Sequence, residues 1–239
     1  MTIQWQLQSP QASQKSAIPP FVHPNYLKEA LFSHSPIDNA AETAVQMKRI
    51  VVIGSSGSGK STLARQLGAG LNLPVFHLDK YFWHPGWIGT PKDEWKSQVE
   101  NLALGDSWII DGNYRDTLDI RLKMADTIIF LDLPRLICAW RVIKRRIQYR
   151  NHPRPDIAEG CQESVLDPAF PRFLGHILDY PNRARPNVMR KIEHFASHKR
   201  FIWLRSTKDV QQFVERPYQE SANLTYDDRY YARLARYDG

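Results

Sequence analysis

From residue 48 onward, apolar positions alternate between short continuous runs and stretches with helical spacing. The runs predict strands near residues 49–53, 74–78, 107–111, 126–131 and 200–204. The helical stretches predict helices near residues 60–70, 91–103, 117–124, 134–150, 169–179, 184–197 and 207–215. Strands that alternate with helices favour a parallel sheet with helices on both faces. We therefore expect an α/β fold on one five-stranded parallel sheet, with ligands bound beyond the carboxyl ends of its strands.

The two ends of the chain lack this pattern. Residues 1–46 contain several Pro, Gln and Ser residues without periodicity, which predicts a weakly ordered leader. We expect the main domain at residues 47–216 and a C-terminal tail at residues 217–239. Because Met47 precedes the first strand, residues 1–46 are either an over-extended start or a dispensable arm.

The most specific motif follows the first predicted strand. Residues Gly54-Ser55-Ser56-Gly57-Ser58-Gly59-Lys60-Ser61 match G-x-x-x-x-G-K-[ST], the P-loop of nucleotide-binding proteins. Glycines let backbone amides turn toward an anion, and the helix that begins near Lys60 directs its positive end at the same charge. We expect these residues and Thr62 to bind ATP, with Lys60 at the β- and γ-phosphates and Ser61 at Mg²⁺. No Asn-Lys-x-Asp guanine motif occurs, so adenine is the expected base.

Carboxylates follow the next strands. Asp111 ends the third predicted strand, where a P-loop protein carries the aspartate that binds Mg²⁺ through water. Asp132 ends the fourth strand and is an alternative for this role. We favour Asp111 because Gly112 and Arg115 add a close backbone approach and a phosphate-binding group. Asp132 lies two residues before Pro134, where it alternatively caps the next helix.

The acceptor side is predicted from the second strand. Asp79 lies at its end, where a carboxylate faces the cleft and orients or deprotonates an acceptor hydroxyl, unless it only caps a turn. The neighbouring aromatic residues either wall an acceptor pocket or belong to the core. They are Tyr81, Phe82, Trp83 and Trp87.

An arginine-rich helix follows the fourth strand. Arg141 and Arg145 are four residues apart, so their like charges lie on one side of the helix. An anion between them would offset this repulsion, which predicts a lid at about residues 141–160 that brings both to the transferring phosphoryl group. A solvated basic face or a nucleic-acid contact is the alternative. Further arginines that could return to the cleft are Arg172, Arg183, Arg185 and Arg190.

The overall composition restricts the function classes. The 239 residues are 42% hydrophobic and carry a formal net charge of +7, which suits either nucleic acid or an anionic substrate. No apolar stretch approaches about 18 residues and no secretory signal pattern occurs, so we expect a cytoplasmic protein without membrane contact. Cys138 and Cys161 lack metal-ligand spacing and are expected to be reduced thiols.

Several motifs together suggest a family. They are Gly54 to Ser61, Leu78-Asp79, Phe82-Trp83, Pro85-Gly86-Trp87, Trp108 to Tyr114, Phe130-Leu131-Asp132, Arg154-Pro155-Asp156 and Glu159-Gly160-Cys161. They resemble the adenylate-kinase-related P-loop proteins often labelled DNA topology modulation protein, over about residues 48–206. The resemblance implies a nucleotide- or small-molecule-kinase fold. Residues 111–115 are also similar to the Asp-Gly-Phe-Pro-Arg segment of adenylate kinases, whose arginine holds the acceptor's phosphate, but Asn113 and Tyr114 replace Phe and Pro, so AMP is not identified as acceptor.

We therefore expect an ATP- and Mg²⁺-dependent phosphotransferase acting on a small molecule or nucleotide. Its predicted catalytic residues are Lys60, Asp79, Asp111, Arg115, Arg141 and Arg145. The alternative is an ATP-binding nucleic-acid-associated or regulatory protein, suggested by the net charge and by the Arg- and Tyr-containing residues 229–237. The same tail residues could instead form a helix that packs on the domain.

Overall fold

The structure, a computed structural model, describes residues 47–150, 154–161, 163–164, 166–196 and 199–215. The predicted leader at residues 1–46 and the predicted tail at residues 217–239 lie outside these ranges. The domain limits therefore stay predictions.

The strands are β1 (Arg49–Gly54), β2 (Val75–His77), β3 (Trp83–His84), β4 (Ile88–Gly89), β5 (Trp108–Asp111), β6 (Thr127–Leu131) and β7 (Arg200–Leu204). The helices are α1 (Lys60–Leu71), α2 (Leu78–Phe82), α3 (Lys92–Ala103), α4 (Leu118–Met124), α5 (Arg135–Gln148), α6 (Phe170–Leu178), α7 (Tyr180–Arg183), α8 (Arg185–Phe195) and α9 (Thr207–Glu215). A short 3₁₀ helix, Arg115–Thr117, precedes α4.

Five of the strands form one sheet in the order β2-β5-β1-β6-β7, and every neighbouring pair is parallel. The predicted fold class, an α/β P-loop fold on a five-stranded parallel sheet, is confirmed. β1 lies at the centre, with β5 on one side and β6 on the other. The P-loop after β1 and Asp111 at the end of β5 therefore meet at the same edge of the sheet.

Both faces of the central strand are covered. Ile50, Val51, Val52 and Ile53 are all fully buried, although successive side chains on a strand point to opposite faces. On one face the core includes Leu63 and Leu67 of α1, Val142 of α5 and Phe213 of α9. Burial of each large apolar side chain contributes about 1.5–3 kcal/mol, so this packing stabilises the strands that carry the site.

The second predicted strand is shorter than expected. It ends at His77, and Leu78 begins α2, because Leu78 is buried against Gly112 instead of continuing the sheet edge. Asp79 therefore lies in the first turn of a short helix. α2 is followed by an antiparallel hairpin of β3 and β4, which the sequence pattern does not predict.

No helix within the described ranges is both long enough and apolar enough to cross a membrane.

Candidate active site

The P-loop connects β1 to α1 through backbone conformations that glycine adopts without strain. Gly57 has φ +81° and Gly59 has φ +99°, both in the left-handed region. A Cβ atom on Gly57 would lie 2.2 Å from the carbonyl oxygen of Cys138 in α5. Any side chain at this position would therefore push the loop away from the helix that carries the predicted lid arginines.

Lys60 bends back over this loop. Its Nζ donates a hydrogen bond to the carbonyl oxygen of Ser55 at 2.9 Å. Burial lowers the pKa of Lys60, and the negative charges of Asp111 and Asp79 act in the opposite direction. The hydroxyl groups of Ser55 and Ser58 are buried and have no hydrogen-bond partner within the described part of the chain. The loop thus holds a partly desolvated cation beside polar groups, as an anion-binding site requires.

Ser61 and Asp111 are in direct contact. Ser61 Oγ donates to Asp111 Oδ2 at 2.7 Å, and His77 Nδ1 lies 2.5 Å from Asp111 Oδ1. Both carboxylate oxygens are therefore held, one by the P-loop helix and one by the neighbouring strand β2. A hydroxyl and a carboxylate are hard oxygen donors of the kind that Mg²⁺ prefers.

Asp132, the alternative to Asp111, has other partners. Both of its carboxylate oxygens lie 2.9 Å from Arg185 Nε, and Trp203 Nε1 donates to Oδ2 at 3.2 Å. It does not line the cavity described below. This geometry supports Asp111 as the candidate for Mg²⁺.

A cavity of about 900 Å³ opens beside the P-loop, within the range of ~300–1,000 Å³ typical of small-molecule sites. All the predicted catalytic residues line it: Lys60, Asp79, Asp111, Arg115, Arg141 and Arg145. The cavity is also lined by Ser56, Gly57, Gly59, Ser61 and Thr62 of the predicted nucleotide site, but not by Gly54, Ser55 and Ser58. Within the described ranges, no three His, Cys, Asp or Glu side chains cluster closely enough to hold a metal ion by themselves.

Asp79 faces the cavity with its carboxylate held by a phenol. Tyr114 Oη donates to Asp79 Oδ1 at 2.7 Å. Burial raises the pKa of Asp79, while the hydrogen bond from Tyr114 and the charges of Lys60 and Arg154 oppose the rise. Burial raises the pKa of Tyr114 far above its ordinary value, so Tyr114 stays a donor. A carboxylate with a raised pKa is a better proton acceptor than an ordinary aspartate.

The aromatic residues of the hairpin region form part of the cavity wall. Phe82, Trp83 and Trp87 line it, as do Trp95 and Tyr114, whose positions were not predicted. Tyr81 was predicted with this group but is exposed and does not line the cavity.

The predicted lid arginines have different surroundings. Arg141 Nη1 donates to the carbonyl oxygen of Ser58 at 3.2 Å, so this guanidinium lies beside the P-loop. Arg145 Nη2 donates to Glu163 Oε1 at 3.0 Å, and Arg154 Nη1 donates to the same oxygen at 2.5 Å. Arg146 is buried with its guanidinium 4.3 Å from the ring centroid of Phe170.

Other arginines lie outside the cavity or at its rim. Arg115 is exposed at the rim, in the 3₁₀ helix. The downstream set does not line the cavity: Arg172, Arg183, Arg185 and Arg190. Arg185 instead binds Asp132, and Arg183 binds Asp179.

Sequence reasoning missed several residues of the site. The sequence does not reveal the contacts of His77 with Asp111 and of Tyr114 with Asp79, because they depend on how distant segments are arranged in the fold. Glu163 lies in a segment without periodicity. Arg121 was also missed: it is fully buried and donates to the carbonyl oxygens of Gly112 at 2.9 Å and Tyr114 at 2.8 Å, which fixes the turn after β5.

Comparison with solved structures finds distant similarity to several kinases. The chain is similar to shikimate kinase from Bacteroides thetaiotaomicron (17% identity, 72% of this chain, 96% of that chain, TM-score 0.42). It is also similar to a gluconokinase from Sinorhizobium meliloti (18% identity, 79% of this chain, 98% of that chain, TM-score 0.42). A third similar structure is deoxyadenosine kinase from M. mycoides (12% identity, 70% of this chain, 97% of that chain, TM-score 0.36). A likeness at these identities concerns the fold alone. No protein-family model matches the sequence, and a search of curated proteins finds no relative. The finer resemblance to DNA topology modulation proteins stays a prediction.

Proposed function

We propose that this chain is an ATP- and Mg²⁺-dependent phosphotransferase that acts on a hydroxyl group of a small molecule. The observation that carries the proposal is the 2.7 Å hydrogen bond from Ser61 Oγ to Asp111 Oδ2, in a cavity that Asp79 also lines. A P-loop serine beside a strand-end carboxylate suits a nucleotide with its metal ion, and a second carboxylate suits an acceptor hydroxyl.

The nucleotide side is assigned to the loop. The backbone amides of residues 54–62 and the ammonium group of Lys60 would hold the phosphates, and Ser61 and Asp111 would hold Mg²⁺. When bound, Mg²⁺ would offset the charge of the β- and γ-phosphates. The adenine base is expected because the guanine motif is absent from the sequence.

The acceptor side is assigned to Asp79. In the proposed reaction, the acceptor oxygen forms a bond to the γ-phosphorus, and the bond from that phosphorus to the β,γ-bridging oxygen breaks. The hydroxyl proton passes to Asp79, and ADP leaves. Arg141, which already contacts the P-loop, would supply positive charge to the transferring group.

The test is an ATP-consumption screen with nucleosides, nucleoside monophosphates, sugars and short DNA as added acceptors. We expect acceptor-dependent ADP release that falls at least about 100-fold in Lys60→Ala, because one charged group at the transferring phosphoryl is lost. Lys144→Ala is the matched control, since Lys144 is exposed and does not line the cavity.

Equal ADP release by Lys60→Ala and the unmodified chain would overturn the proposal. Turnover stimulated only by DNA would favour the nucleic-acid alternative. ATP binding without transfer to any acceptor would favour a regulatory role.

A further inference from the structure

The cavity wall beside Asp79 has an aromatic corner. The Trp83 and Trp87 rings have centroids 5.5 Å apart and planes at 75°, and the Phe82 and Trp83 rings are 4.8 Å apart at 86°. Both indoles are half-buried at the cavity surface. A flat ligand ring stacked on one indole would contact the other indole edge to face. Stacked and edge-to-face contacts are the two arrangements that aromatic rings prefer.

Trp87 is held in this corner at a conformational cost. Its φ is +63°, in the left-handed region, where a bulky side chain costs about 1–3 kcal/mol. A distant segment of the chain holds the turn that contains Trp87, because Gly86 N donates a hydrogen bond to the carbonyl oxygen of Gly160 at 3.1 Å. A strained tryptophan retained at a cavity wall favours a role in ligand contact over a role in folding.

Two arginines of the cavity lining, Arg145 and Arg154, are already paired with carboxylates. Arg154 forms a two-point pair with Asp156, at 3.2 and 2.8 Å, and also binds Glu163. Arg145 binds the same glutamate. Two arginines and two carboxylates sum to zero charge, and Asp79 adds a carboxylate nearby. A phosphate group that bound Arg145 or Arg154 would have to break one of these pairs, whereas an uncharged ligand would not.

We infer that the acceptor is an uncharged alcohol that carries a flat unsaturated ring, the class to which nucleosides belong. The aromatic corner would hold the ring, and Asp79 would hold the hydroxyl group. The inference relies on the proposed function for the transfer step, whereas binding of the ring does not depend on it.

The test uses isothermal titration of the full chain with the four common ribonucleosides, their 5′-monophosphates and ribose. We expect one nucleoside to bind at least about tenfold more tightly than its monophosphate and than ribose, a difference of about 1.4 kcal/mol.

Trp87→Asn and Trp87→Gly remove the indole but suit a positive φ, so both variants are expected to keep the thermal midpoint of the unmodified chain. Each should weaken nucleoside binding at least about tenfold. Trp140→Ala is the control, since Trp140 is exposed on α5 and does not line the cavity.

Each result decides the inference. Tighter binding of a monophosphate or of ribose, no nucleoside binding, or equal binding by the Trp87 variants would overturn it. Phosphorylation of the bound nucleoside is measured separately by mass spectrometry. Nucleoside binding that depends on Trp87 without phosphorylation would support the ligand class and contradict the proposed function. Phosphorylation of a sugar or a nucleotide instead would support that function and overturn the ligand class.

Discussion

His77 Nδ1 lies 2.5 Å from Asp111 Oδ1, and the two residues are direct partners in the register of β2 and β5. Ser61 occupies the other oxygen of the same carboxylate. His77 is buried, so its ring has little freedom to turn away. The sheet itself therefore orients the carboxylate that we propose for Mg²⁺, and we expect His77 to act as a positioning residue.

Loss of His77 should weaken the response to Mg²⁺. We expect His77→Ala to raise the Mg²⁺ concentration for half-maximal turnover about tenfold, the lower end of the effect of removing a partner from a metal-binding group. His77→Asn places a nitrogen near the position of Nδ1 and should restore most of the response. The measurement is turnover against Mg²⁺ at saturating ATP. An unchanged Mg²⁺ response in His77→Ala would limit His77 to a structural role.

The two strand-end aspartates should respond differently to the same change. Asp111→Asn removes the charge beside Ser61, and we expect Mg²⁺-dependent turnover to fall about 100-fold with a smaller change in nucleotide affinity. Asp132→Asn should leave the Mg²⁺ response close to that of the unmodified chain, because Asp132 is bound by Arg185 and Trp203. Mg²⁺ titrations of both variants make the comparison. An unaltered response in Asp111→Asn, with a loss in Asp132→Asn, would assign the metal to Asp132.

The predictable parts of the site are those whose residues are adjacent in the sequence. The P-loop is a contiguous motif, and Asp111 ends a buried apolar run, so both could be located in the sequence. The contact of His77 with Asp111 depends on β2 lying next to β5, which residue periodicity does not reveal. The position of Trp87 depends on a positive φ that is unusual for tryptophan, so no propensity argument predicts it.

The arginine-rich segment shows the same limit. Spacing places Arg141 and Arg145 on one side of a helix, and both do line the cavity. It does not reveal that Glu163 binds Arg145 or that Arg146 lies against Phe170. Partners of this kind come from distant segments, and only the folded chain shows which charges are neutralised.

Arg121 should matter for stability. Its guanidinium is fully buried and binds two backbone carbonyl groups in the turn after β5, and burial lowers its pKa to about 10. We expect Arg121→Met to lower the free energy of unfolding by about 3 kcal/mol, because these carbonyl groups would lose charged donors. Urea denaturation measures the change. Lys123→Met is the control on the same helix and should change stability by less than about 0.5 kcal/mol, since Lys123 is exposed. Equal stability of both variants would contradict this role of Arg121.

Removal of the Tyr114 hydroxyl should move the pH dependence of the proposed reaction. Asp79 must be deprotonated to accept a proton, so activity falls as the pH drops through its pKa. Burial raises that pKa and the charge of Asp111 raises it further, whereas the Tyr114 hydrogen bond and the charges of Lys60 and Arg154 lower it. Tyr114→Phe removes one of the lowering contributions, so the pKa of Asp79 should rise. The acid limb of kcat/KM should therefore shift to higher pH.

This shift is measured from pH profiles of kcat/KM, which report groups of the free enzyme. Tyr81→Phe is the matched control, because Tyr81 lies on the same short helix as Asp79 but is exposed and does not line the cavity. Its profile should superimpose on that of the unmodified chain. An acid limb that stays in place in Tyr114→Phe would show that Asp79 is not the group that titrates. A shift to lower pH would show that Tyr114 favours the protonated form of Asp79, and the hydrogen bond would then run from the carboxyl group to the phenol.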